Sequence, residues 1–99
     1  MPFVKAATRA EIQPGTGKVV VAAGKRIALF NVEGEFYAID NTCPHKGSPL
    51  GEGELDGKTV SCPGHGWLFD VTTGKGRIMP VGVSTHNVKI EGDDVLVEV

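Results

Sequence analysis

The segments Cys43-Pro44-His45 and Cys62-Pro63-Gly64-His65, with sixteen residues between them, decide how this chain folds and works. They use both cysteines and two of the three histidines in a sequence of 99 residues. Four soft or borderline ligands in two clusters joined by a loop suit a metal centre. Structural zinc accepts two cysteines and two histidines, but its usual spacing pairs like with like. Here each pair is mixed, and a single residue separates Cys43 from His45. That spacing fixes two side chains on one tight loop and leaves each free to reach a different metal ion. A disulfide between Cys43 and Cys62 would leave both histidines unexplained, and nothing in the chain suggests an oxidising compartment. Ordinary loop residues are the remaining, least economical reading.

A further candidate is a 2Fe–2S cluster in which two cysteines hold one iron and two histidines replace cysteine on the other. Two ferric ions, two sulfides, two thiolates and two neutral imidazoles sum to zero charge. Adding an electron to a neutral centre is easier than adding it to an anionic one, so the potential rises relative to an all-cysteine ferredoxin. Imidazole also carries a second ring nitrogen that can couple redox state to protonation.

The segments C-P-H-K-G-S-P-L-G-E-G (Cys43 to Gly53) and C-P-G-H-G-W-L-F-D-V-T-T-G (Cys62 to Gly74) closely resemble the two cluster-binding boxes of Rieske-type proteins, C-x-H followed by C-x-x-H-G. The resemblance runs more loosely over nearly the whole chain, including a proline-bearing segment at Met79-Pro80 and a closing V-K-I-E-G-D-D-V-L-V-E-V hairpin. It implies one Rieske 2Fe–2S cluster, with Cys43 and Cys62 on the inner iron and His45 and His65 on the outer, solvent-facing iron. It also implies an all-β, Rieske-like fold: an antiparallel β-sandwich base and a small cluster-binding β lobe over about residues 41–80, in a single domain spanning 1–99.

Composition agrees with a loop-rich β protein: 40% hydrophobic residues, fourteen glycines and six prolines. The longest apolar run, Val19 to Ala23, is too short to cross a bilayer, and the start M-P-F-V-K-A-A-T has no secretory or twin-arginine pattern. A cytoplasmic protein is expected. A net charge of −2 gives no argument for nucleic acid or membrane binding.

Respiratory and photosynthetic Rieske subunits carry a membrane anchor and a disulfide between their cluster loops. Ser48 and Gly64 stand at the matching positions here, so that bridge cannot form. In those proteins a serine and a tyrosine after the second histidine donate hydrogen bonds to sulfur. Trp67 and Phe69 occupy the equivalent places and lack a hydroxyl. The resemblance therefore implies a low potential, nearer about −150 mV than about +300 mV. Catalytic oxygenases of the wider family hold a mononuclear iron on two histidines and a carboxylate. Once the cluster is served only His86 remains, so the chain is expected to carry electrons and not to be an enzyme itself.

Small ferredoxins of bacterial ring-hydroxylating dioxygenase systems share this size and these boxes. The implied partners are a flavin reductase as donor and a terminal oxygenase as acceptor. The alternative resemblance is to the small Rieske subunit of an NAD(P)H nitrite reductase, bound to its large subunit. A structural zinc-binding module is the competitor of another class.

Along the chain, Phe3 to Ala6 reads as an edge strand and Thr8-Arg9-Ala10-Glu11 as a capping box for one helical turn. Lys18 to Ala22 and Arg26 to Val32 flank a turn at Gly24, and Glu33-Gly34 leads to a strand over Glu35 to Asp40. Residues 41 to 56 read as loop. Strands are expected over Lys58 to Ser61 and Trp67 to Val71, with a turn at residues 72 to 76. A last hairpin pairs Ser84 to Ile90 with Val95 to Val99. Gly47, Gly64 and Gly66 are expected to let backbone approach sulfur closely. Trp67 reads as packing beneath the second loop, His86 as a surface residue, and Lys46 as a solvated lysine near the tip. Glu91, Asp93 and Asp94 read as a charged turn.

Overall fold

Residues 27 to 32, Ile-Ala-Leu-Phe-Asn-Val, are buried without interruption. A strand can bury every residue only when both of its faces are covered, and the computed structural model shows how. It describes residues 2–44, 47–64, 66–77 and 81–99. His45, His65, Lys46 and the Met79-Pro80 segment lie outside the described residues.

A central four-stranded antiparallel sheet has the order β2 (Thr16–Ala22), β3 (Lys25–Val32), β4 (Glu35–Asp40), β8 (Thr85–His86). A three-stranded sheet, β1 (Phe3–Thr8), β10 (Asp94–Glu98), β9 (Val88–Glu91), covers one face. A second three-stranded sheet, β5 (Glu54–Asp56), β6 (Thr59–Ser61), β7 (Leu68–Asp70), belongs to the smaller lobe. Alternation along β3 divides its side chains. Ile27 and Leu29 join Ala38, Val95 and Val97 in one core. Ala28, Phe30 and Val32 join Ile39, Leu50, Val60, Phe69, Val71 and both cysteines in the other. The sandwich base and the smaller lobe are as expected, and the lobe shares a core with the central sheet.

The tight connections follow local chemistry. Ala23-Gly24 and Glu33-Gly34 both adopt positive φ, the conformation that two-residue hairpins with right-handed twist require. The expected capping box forms: the Thr8 N–H donates to the Glu11 carboxylate and holds the 3-10 turn Arg9–Glu11.

Two expectations need correction. Residues 41 to 56 are not all loop, because Leu50–Glu52 forms a 3-10 turn and Glu54–Asp56 is the outer strand of the lobe's sheet. Its sequence, Glu-Leu-Asp, has one apolar residue and no β-branched one. Pairing with β6 across Gly57-Lys58, in the register Leu55↔Val60, is what makes it a strand. The expected strand Ser84 to Ile90 is also two strands. β8 pairs with β4, β9 pairs with β10, and the break falls at Asn87. Asn87 there accepts the Glu98 N–H on its carbonyl and donates from its amide to the Glu98 carboxylate, both at 2.9 Å. Hydrophobic spacing does not record which sheet a strand joins.

His86, expected at the surface, is pulled inward by that switch, and its side chain retains only 11% exposure. Nε2 lies 2.7 Å from Asp40 Oδ1 in the central sheet, and Nδ1 faces the Glu98 carbonyl of the outer sheet at 3.3 Å. Its role is to tie two layers together.

Candidate metal centre

The described residues of the two cysteine-bearing segments close in the same way. Residues 43–48 are closed at their base by the antiparallel bridge Thr42↔Pro49, and residues 62–67 by the β6–β7 pair Ser61↔Leu68. In each, cysteine comes first, proline second and glycine fifth. The Cys43 N–H donates to the Ser48 carbonyl at 3.0 Å, and the Cys62 N–H to the Trp67 carbonyl at 2.7 Å. The Gly47 N–H returns to the Cys43 carbonyl at 2.8 Å, and the Gly66 N–H to that of Cys62 at 2.9 Å. Gly47 and Gly66 have φ of +74° and +72°, a left-handed turn where a side chain costs about 1–2 kcal/mol. Their positive φ gives these two glycines a conformational role, and no protein atom lies within 4 Å of a Cβ built on Gly66.

Gly64 does mark a close approach. A Cβ built there would fall on Ser48 Oγ and come 4.0 Å from Cys62 Sγ. The two loops thus meet at Ser48 and Gly64, the positions that the sequence comparison of the boxes pairs.

Burial grades outward across this unit. Cys43 and Cys62 are 1% and 2% exposed and belong to the core built on β3. Pro44, Gly47, Pro63, Gly64 and Gly66 are exposed. Trp67 packs half-buried against that same core, as expected, and Phe69 is fully buried within it. The two cysteines are not joined in a disulfide. Among the described residues, which leave out His45 and His65, no three His, Cys, Asp or Glu side chains gather as a metal site. Two buried thiols on twin loops with exposed tips fit a centre whose inner half is bound by sulfur and whose outer half reaches solvent.

The base of the first loop rests on residues that sequence reading passed over. Asn41 is 3% exposed; its Oδ1 accepts the Gly51 N–H at 2.9 Å, and its carbonyl accepts the Leu50 N–H at 2.7 Å. Gly51 in turn sits against β2, where a Cβ would be 2.8 Å from the Val19 nitrogen. Asp40, one residue earlier, is pushed up by burial, but its hydrogen bond with His86 and the nearby Lys25 outweigh this and hold its carboxyl below the usual range. In sequence, Asp40-Asn41 is an ordinary polar end to a strand. Its only signal is position, between a strand and a ligand.

A model of the Rieske [2Fe-2S] domain matches residues 3–96. The ferredoxin component of the naphthalene 1,2-dioxygenase system of Pseudomonas aeruginosa is 40% identical over 98 residues, covering 97% of this chain and 94% of that protein. A chain in the complex of reduced oxygenase and oxidized ferredoxin in carbazole 1,9a-dioxygenase superposes with a TM-score of 0.87 at 35% identity, covering 96% of this chain and 91% of that one. A candidate NADH-dependent nitrite reductase small subunit from Mycobacterium tuberculosis superposes with a TM-score of 0.89 at 23% identity, covering 97% and 93%, which shows a shared fold alone. Twin cysteine loops on a shared β core, and a family match over almost the full length, place this chain in the Rieske [2Fe-2S] domain family.

Proposed function

We propose that this chain is the one-electron carrier of a multicomponent oxygenase system, taking electrons from a flavin-containing reductase and delivering them to a terminal ring-hydroxylating oxygenase. The observation that carries the reading is the pair of matched loops with buried thiols and exposed tips. The similarity to ferredoxin components of dioxygenase systems over nearly the whole of both chains supports the choice of partners. The nitrite reductase alternative rests on fold alone.

In this reading Cys43, Cys62, His45 and His65 would hold the 2Fe–2S cluster, the thiolates from the buried side. Bound there, the cluster supplies a reversible one-electron couple. The chain's own residues do the rest. The apolar core around Cys43 and Cys62 keeps water from the thiolate side, and the closing amide bonds of each loop hold the ligand backbone in place. Electron entry and exit would occur at the exposed tips, at Pro44 and Gly47 on one loop and Pro63, Gly64 and Gly66 on the other. Residues 1–99 act as one domain, with residues 41–80 as its cluster-bearing part. Among the described residues no helix is long and apolar enough to cross a membrane, and we place the carrier in the cytoplasm.

Purified protein should be red-brown, with visible charge-transfer absorption and two irons and two acid-labile sulfides per chain. Colourless protein loaded with zinc would reject the carrier in favour of a structural zinc module. Reduction by a flavin reductase and reoxidation by a ring-hydroxylating oxygenase, followed at the visible band, tests the partner assignment separately.

A further inference from the structure

We propose that Ser48 is a positioning residue: its hydroxyl occupies the space left by the missing side chain of Gly64 and raises the potential of the centre by facing the Cys62 sulfur. This rests on the cluster reading above. Among the described residues of the first loop, Ser48 is one that acts on both loops. Its carbonyl closes its own loop by accepting the Cys43 N–H at 3.0 Å, and its side chain meets the second loop at Gly64.

Gly64 is not among the residues with positive φ, so its backbone is one that alanine also adopts. What a methyl group would meet there is the Ser48 hydroxyl, with Ser48 Cβ at 3.4 Å and Cys62 Sγ at 4.0 Å, both ordinary contacts. The hydroxyl and the thiol therefore border the same small space. Hydrogen bonds to cluster sulfur raise reduction potentials because they stabilise the charge that an added electron brings. Trp67 and Phe69 offer no hydroxyl, and Ser48 brings one from the opposite loop to the edge of this space.

The test is a double-mutant cycle on cluster-loaded protein, read by midpoint potential and by the electron paramagnetic resonance of the reduced state. S48A should load normally, show a lower potential and change the resonance line shape. S48T keeps the hydroxyl and should stay at the wild-type value. G64A, whose methyl evicts the hydroxyl, should shift in the same direction as S48A, and the S48A/G64A pair should shift no further than S48A alone. Loss of cluster in S48A that S48T does not share also supports the role. An unchanged or raised potential in S48A, loss of cluster in both Ser48 variants, or additive shifts in the pair overturns it. Wild-type protein without iron and sulfide would instead sink the cluster reading itself, so the two failures are distinct.

Discussion

At Cys43 and Cys62 the chain sets a thiol into an apolar core while the next residues run out into solvent. Such a site is costly to fill with charge unless the charge is shared. Two thiolates and two neutral imidazoles on a 2Fe–2S cluster would meet that demand, because such an oxidised assembly carries no net charge. Replacing His45 or His65 with cysteine adds a negative charge, and where the cluster still assembles its potential should fall, as measured by redox titration. A potential equal to or above that of the wild type would dismiss the ligand assignment. The flanking residues were legible in sequence to different degrees. Proline and glycine at fixed places in both boxes announce a shared loop. Whether a glycine serves φ, as Gly66 does, or space, as Gly64 does, depends on neighbours that sequence does not display.

At the level of elements, β4 and β8 decide how firmly the first loop is held. Asp40 ends β4, pairs with His86 of β8 and Lys25 of β3, and stands three residues before Cys43. Its carboxyl is depressed in the folded state. A depressed carboxyl contributes stability at pH values above its ordinary pKa and loses that contribution as the pH falls through the folded value. Asp40→Asn should therefore cost about 1 kcal/mol at neutral pH and flatten the loss of stability below about pH 4. Urea unfolding at several pH values reads both, and an acid limb as steep in the variant as in the wild type would count against the pairing. Sequence reading found β8 and β9 as one strand and saw His86 as a surface residue. A two-residue strand pairing with one sheet while its continuation pairs with another carries no periodic signature.

Across the whole molecule, β3 is the partition between two cores. Phe30 faces the cysteines, and Leu29, its neighbour, faces the outer sheet. Truncating either to alanine should destabilise the fold, by about 3–5 kcal/mol for phenylalanine and about 2–5 for leucine. Only Phe30→Ala opens a cavity in the core that holds the thiols. Iron content per folded chain should fall further in Phe30→Ala than in Leu29→Ala at matched loss of melting temperature. Equal loss in both would mean that the cluster senses global stability and not its own core.

The sequence by itself determined the family and its chemistry: two cysteine-histidine boxes at a spacing few other centres use, whose glycines and prolines dictate tight loops. It also determined most strands and the turns at Gly24 and Glu33-Gly34, since these follow from nearest-neighbour propensity and backbone freedom. Tertiary structure alone decided that β3 is buried on both sides, that Glu54–Asp56 joins a sheet, that His86 links two layers, and that Ser48 faces Gly64. Each of these is a contact between residues far apart along the chain, and its energy comes from the partner, which no local pattern encodes.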